Sequence, residues 1–76
     1  MPKTVSIAIV EWALRAARAE LVGSRLGDPV YLSGAFWQTS RDATTYELVT
    51  DVVQATACAA MLRRLRVARM TDARSR

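Results

Sequence analysis

A mainly α fold, two helices of unequal length joined by an aromatic connector, is what this sequence predicts. Three observations carry the prediction. Ile7, Val10, Leu14, Ala17 and Leu21 recur at alternating spacings of three and four, the repeat of a single helix stripe. Residues 45–70 contain neither Gly nor Pro and are rich in Ala and Leu. Between the two lies a segment punctuated by Gly27, Pro29 and Gly34 that holds three of the five aromatic residues. The helices are expected at about 5–22 and 44–70, with a short strand or hairpin at 30–37; a small α+β fold with an N-terminal strand is the alternative.

In the first helix, Glu11 and Arg15 stand four apart in the favourable acid-first order, and Gly23 offers a stop. A second face carries Trp12 among the small residues Ala16 and Ala19, which reads as core. Gly27, Asp28 and Pro29 make a turn, because proline disfavours helical geometry in the residue before it. Val30 to Trp37 is rich in β-branched and aromatic residues, interrupted by Ser33 and Gly34. Thr44, followed three residues later by Glu47, has the pattern of a capping box at the head of the long helix.

On that helix Tyr46, Val49, Val53 and Ala60 share one side, and Leu48, Val52, Ala55, Ala59 and Leu62 the next. Glu47, Asp51, Gln54 and Cys58 form the strip expected to face water. The 26 residues from Thr45 to Met70 span about 39 Å, against about 24 Å for the 16 from Ile7 to Val22. A long helix with two apolar sides and one shorter neighbour implies a homodimer, most simply two hairpins in a four-helix arrangement.

A chain of 76 residues is one small domain whose own core is marginal. With one cysteine, Cys58, and no histidine, neither a disulfide nor a histidine-bearing metal site is expected to reinforce it, which again favours association. A lone Cys in an alanine-rich run reads as a small buried hydrophobe, and a cytoplasmic location is expected. Glu11 breaks the apolar N-terminal stretch too early for a signal peptide. The uncharged runs 29–40 and 52–62 fall short of the roughly 20 residues of a membrane span.

The charge is asymmetric. Arg63 to Arg76 hold six arginines against one acid, Asp72, while the preceding residues sum to −1, so the net +4 belongs to the C-terminus. Ten of the eleven basic residues are arginine; beside thirteen alanines this reflects GC-rich coding before it reflects selection for phosphate. The candidate partner-binding residues are Arg63, Arg64, Arg66 and Arg69, with Tyr31, Phe36 and Trp37 as aromatic anchors. Glu47 and Asp51, one turn apart, offer two carboxylates without a third ligand, and Cys58 has no histidine to activate it. No phosphate loop, CxxC pair or metal-ligand spacing occurs. No catalytic, metal or cofactor residue is therefore assigned, and no enzyme activity is expected.

Lys3, Thr4, Val5, Ser6 and Ile7 resemble the first strand of ribbon-helix-helix DNA-binding proteins, where alternating small polar residues on a paired ribbon face the major groove. That resemblance implies a small dimeric transcriptional regulator. This chain departs from the family in placing about twenty residues, Gly23 to Thr44, between its helices, and in lacking a charged contact residue among Thr4, Ser6 and Ala8. In profile the chain is similar to small phage-encoded inhibitors, anti-CRISPR proteins among them, which imply a compact non-catalytic domain docking on a host complex. The leading expectation is such a protein-binding module, homodimeric and gripping its partner through the arginine end and the aromatics; DNA binding is the alternative.

Overall fold

The computed structural model describes residues 3–23, 25 and 27–74. Among them the chain forms β1 (Thr4–Ser6), α1 (Ile7–Arg15), β2 (Ala19–Leu21), β3 (Val30–Leu32), β4 (Ala35–Thr39), β5 (Thr45–Leu48) and α2 (Val52–Arg74), in that order. The strands make one antiparallel sheet in the order β1-β5-β4-β3-β2. This is a small α+β fold. It overturns the mainly α two-helix hairpin expected from the sequence, and with it the four-helix arrangement of two such hairpins.

Two of the differences have local causes. The first helix stops at Arg15 rather than near Val22. Ala17 takes φ 58°, the Arg18 N–H donates to the Ala13 carbonyl (2.7 Å) and the Ala17 N–H to the Leu14 carbonyl (3.2 Å). This is a left-handed helix cap of the Schellman type, built on an alanine where glycine is usual. The start of the long helix moves as well. Thr45, Tyr46, Glu47 and Leu48 are a strand, so Thr44 and Glu47 form no capping box. Asp51 caps α2 instead, accepting from the Val53 N–H at 2.9 Å.

The connector at 30–37 is a β-hairpin. Ser33 (φ 53°) and Gly34 (φ 77°) both occupy left-handed backbone, as a two-residue type I′ turn requires, and they bring Leu32 opposite Ala35, Tyr31 opposite Phe36 and Val30 opposite Trp37. At the next turn Asp42 accepts from the Ser40 hydroxyl and the Thr44 hydroxyl, both at 2.8 Å, which closes the β4–β5 loop.

Alternation along each strand divides the side chains between two faces. One face carries Val5, Leu32, Ala35, Trp37, Tyr46 and Leu48, packed with Val10 and Leu14 of α1 and with Val30. Trp37 is 7% exposed, and its indole N–H donates to the Leu32 carbonyl at 3.1 Å. The other face carries Glu20, Tyr31 and Phe36 and is covered by α2, whose Cys58 and Leu62 are buried.

The expected faces of α2 are thus reversed in part. Cys58, placed on the wet strip by the helical repeat but read as a small buried hydrophobe from its alanine-rich setting, is 8% exposed as the second reading has it, while Val52 and Val53, placed on apolar sides, are each 76% exposed. The sheet supplies the partner that α2 was expected to find in a second copy. Trp12, read as core, is exposed on the outer side of α1.

Two substitutions test this packing. Trp37→Ala should cost about 3–5 kcal/mol, a large part of the total stability of so small a domain. Ala17→Gly should gain roughly 0.5–1 kcal/mol by relieving the left-handed strain. Both are read by urea unfolding, and a near-neutral Trp37→Ala would contradict the assignment of that side chain to the core.

Candidate functional site

The sheet face under α2 brings together residues that are far apart in sequence. Tyr31 and Phe36 are cross-strand neighbours on the β3–β4 hairpin, with ring centroids 5.1 Å apart and planes tilted by 50°. α2 crosses above them. Ala59, Leu62, Arg63 and Arg66 from the helix, with Tyr31, Gly34 and Phe36 from the hairpin, line an open groove of about 380 Å³. At Gly34 a side chain would meet nothing within 4 Å, so the turn leaves this end of the groove clear.

The arginines fall into two groups by what they touch. Arg66 extends to the sheet edge, where Nε and Nη2 both donate to the Glu20 carboxylate in a two-pronged pair, and its guanidinium lies 5.8 Å from the Tyr31 ring centroid. Arg69 Nη1 approaches the same carboxylate at 3.5 Å. Glu20 thus holds two of the four candidate arginines. The hydrogen bond from Arg66 is the main cause lowering the Glu20 pKa from its ordinary 4.5, reinforced by the charges of Arg66 and Arg69 against an opposing effect of burial.

Arg63 and Arg64 are exposed and have no ion pair among the described residues. Arg63 lines the groove beside the two rings. Arg64, one position further, projects about 100° round the helix, away from the groove. Of the residues predicted to bind a partner, the structure therefore gathers Arg63, Arg66, Tyr31 and Phe36. It leaves Arg69 at the rim and turns Arg64 aside. Trp37 lies on the opposite face of the sheet, because Phe36 and Trp37 are adjacent in a strand and must point apart. Ser75 and Arg76 of the basic tail lie outside the described residues.

Other candidates separate. Glu47 belongs to β5 and Asp51 caps α2, so the two do not share a helix face. Among the described residues no group of three or more His, Cys, Asp or Glu side chains is arranged to hold a metal ion. The buried Cys58 thiol has its pKa raised by desolvation, which disfavours the reactive thiolate. No described helix is long and apolar enough to cross a membrane.

Sequence reasoning missed Glu20 and Gly34. Glu20 lies 46 residues before Arg66, and no local pattern announces that pairing. Comparison with known proteins finds no family model, no curated protein and no solved structure that matches this chain.

The depressed Glu20 pKa gives a signed expectation. A carboxylate whose pKa falls on folding adds stability above its ordinary value of 4.5, and the contribution disappears as the pH drops through the lowered value. Glu20→Gln should therefore unfold at a lower temperature than the parent near neutrality, and the two melting curves should converge in acid. A difference that persists or grows in acid would assign the effect to packing rather than to the carboxylate.

Proposed function

We propose that the protein is a non-enzymatic binding module that docks on an acidic surface of a larger host complex and regulates or inhibits it. Small phage-encoded inhibitors such as anti-CRISPR proteins represent this way of acting. The observation that carries the reading is the groove between α2 and the β3–β4 hairpin. It combines two half-buried aromatic rings with Arg63, a guanidinium that has no ion-pair partner among the described residues. An aromatic floor beside an uncommitted arginine is the composition of an interface hot spot, where a carboxylate on the partner pairs with the guanidinium and its neighbours fill the apolar part.

Protein is favoured over nucleic acid for two reasons. Arg66 and Arg69 are already neutralised in part by Glu20, which reduces the charge available for phosphates. The Tyr31 and Phe36 rings are tilted against one another beneath a helix rather than laid open for base stacking. β1 pairs along one edge with β5 of its own chain, setting Thr4 opposite Glu47 and Ser6 opposite Thr45, which departs from the two-stranded ribbon of ribbon-helix-helix proteins and supports the same preference.

The test begins with capture of the partner from host extract on tagged protein and continues with affinities for the purified partner. Arg63→Glu should weaken binding about tenfold or more, as loss and reversal of a partly desolvated charge pair does. Arg64→Glu should change it little. Equal effects of the two, or none, would remove the groove as the docking site, and a mobility shift with DNA that weakens steeply with salt would favour the regulator instead.

A further inference from the structure

The sheet's other side carries a second surface, independent of the groove. α1 buries Val10 and Ala13 against the sheet and turns Ala8, Ile9, Trp12 and Ala16 outward. Ile9 is 51% and Trp12 53% exposed, and among the described residues the one ring or charge contact of the indole is the Arg18 guanidinium, 5.7 Å from its centroid. On a helical wheel these four residues occupy one continuous arc of about 100°. Glu11 and Arg15 flank that arc on a single side, and both are exposed.

The geometry points to an antiparallel pairing of α1 with α1 of a second copy. The arc is self-complementary. A two-fold axis crossing the outer face at the level of residue 13 sets Glu11 of each copy opposite Arg15 of the other, because the two residues lie equally far from that level along the helix. The same axis brings the two indoles together, and the alanines on either side let the backbones approach. The charge order along one face is thus matched by its own reverse, which an unrelated partner surface has no reason to match.

The contact is small. A helix of nine residues is about 14 Å long, and its outer face falls short of the roughly 800 Å² per partner of a standard interface. Association is accordingly micromolar or weaker and depends on concentration.

Sedimentation equilibrium over a wide concentration range, with circular dichroism to establish that each variant is folded, tests this pairing. The unaltered chain should show a reversible monomer–dimer equilibrium, and Trp12→Ala should be monomeric over the same range. Glu11→Lys alone and Arg15→Glu alone should each be monomeric, since like charges then meet twice across the axis. Mixed in equal amounts, the two single variants should dimerise again, because the introduced lysine of one meets the introduced glutamate of the other while the remaining Arg15 meets the remaining Glu11. An effect confined within one helix cannot be rescued by mixing. A parent chain monomeric throughout, a mixture that stays monomeric, or a dimer abolished by Val52→Ser with Val53→Ser but untouched by Trp12→Ala would overturn the pairing. Capture of a partner by the Arg63 groove is read separately and survives either result.

Discussion

The two-residue turn at Ser33–Gly34 is the constraint on which the arrangement of the molecule depends. A two-residue hairpin loop fixes register, and the register decides which side of the sheet each aromatic ring occupies. With Leu32 opposite Ala35, Trp37 falls on the α1 face and Tyr31 with Phe36 on the α2 face. A slip by one residue would exchange them. It would carry the indole out of the core beneath α1 to the face under α2, and take the rings away from the groove they floor. The left-handed backbone at both turn positions therefore sets the site as much as it sets the sheet.

Both helices run from the β1–β5 side of the sheet toward the β2 edge, on opposite faces. The shorter one is spent entirely on crossing. α2 is longer, about 34 Å for its 23 residues, against strands of three to five residues. Its first turns project Val52 and Val53 into solvent, its middle covers Tyr31 and Phe36, and its later turns reach Glu20 on the edge strand. Length mismatch thus explains why Arg63 and Arg66 stand at the groove while Val67 and Met70 remain exposed beyond it. The pair of Glu20 with Arg66 and Arg69 pins the far part of the helix to the sheet where apolar contact has thinned out. Being exposed, such a pin contributes orientation more than stability.

The sequence carries more strand signal than helical periodicity allows to be seen. Tyr46 and Leu48 alternate with Thr45 and Glu47, a period of two, but the absence of Gly or Pro up to Met70 lets the segment merge into the helix that follows. Ala19 to Leu21 hides in the same way behind the apolar stripe of α1, because the residue that ends that helix is Ala17, and nothing in an alanine announces a left-handed cap. The site is legible in its parts and not in its assembly. Arg63, Arg66, Tyr31 and Phe36 are visible as charge and aromatics. Excluding Trp37 needs the strand assignment, and the tie between Arg66 and Glu20 needs the sheet order. The expectation of a second copy rests on a helix without enough neighbours, and the sheet removes that ground. The exposed face of α1 supplies a different one.

Placing the two helices on opposite faces has a consequence for how the surfaces work together. A dimer formed through α1 turns both α2 faces outward, so the two Arg63 grooves point away from the two-fold axis and neither blocks the other. Two weak sites on one particle bind a partner with repeated acidic elements more tightly than either alone, because the second contact forms at the high effective concentration set by the first. The weakness expected of the proposed α1 contact would then be a means of control. A partner that presented two acidic sites at the right spacing would stabilise the proposed dimer by mass action, whereas a partner with one site would leave the monomer–dimer equilibrium where it was. Selectivity for a multi-subunit complex over its isolated subunit would follow from this linkage, with no further contact required.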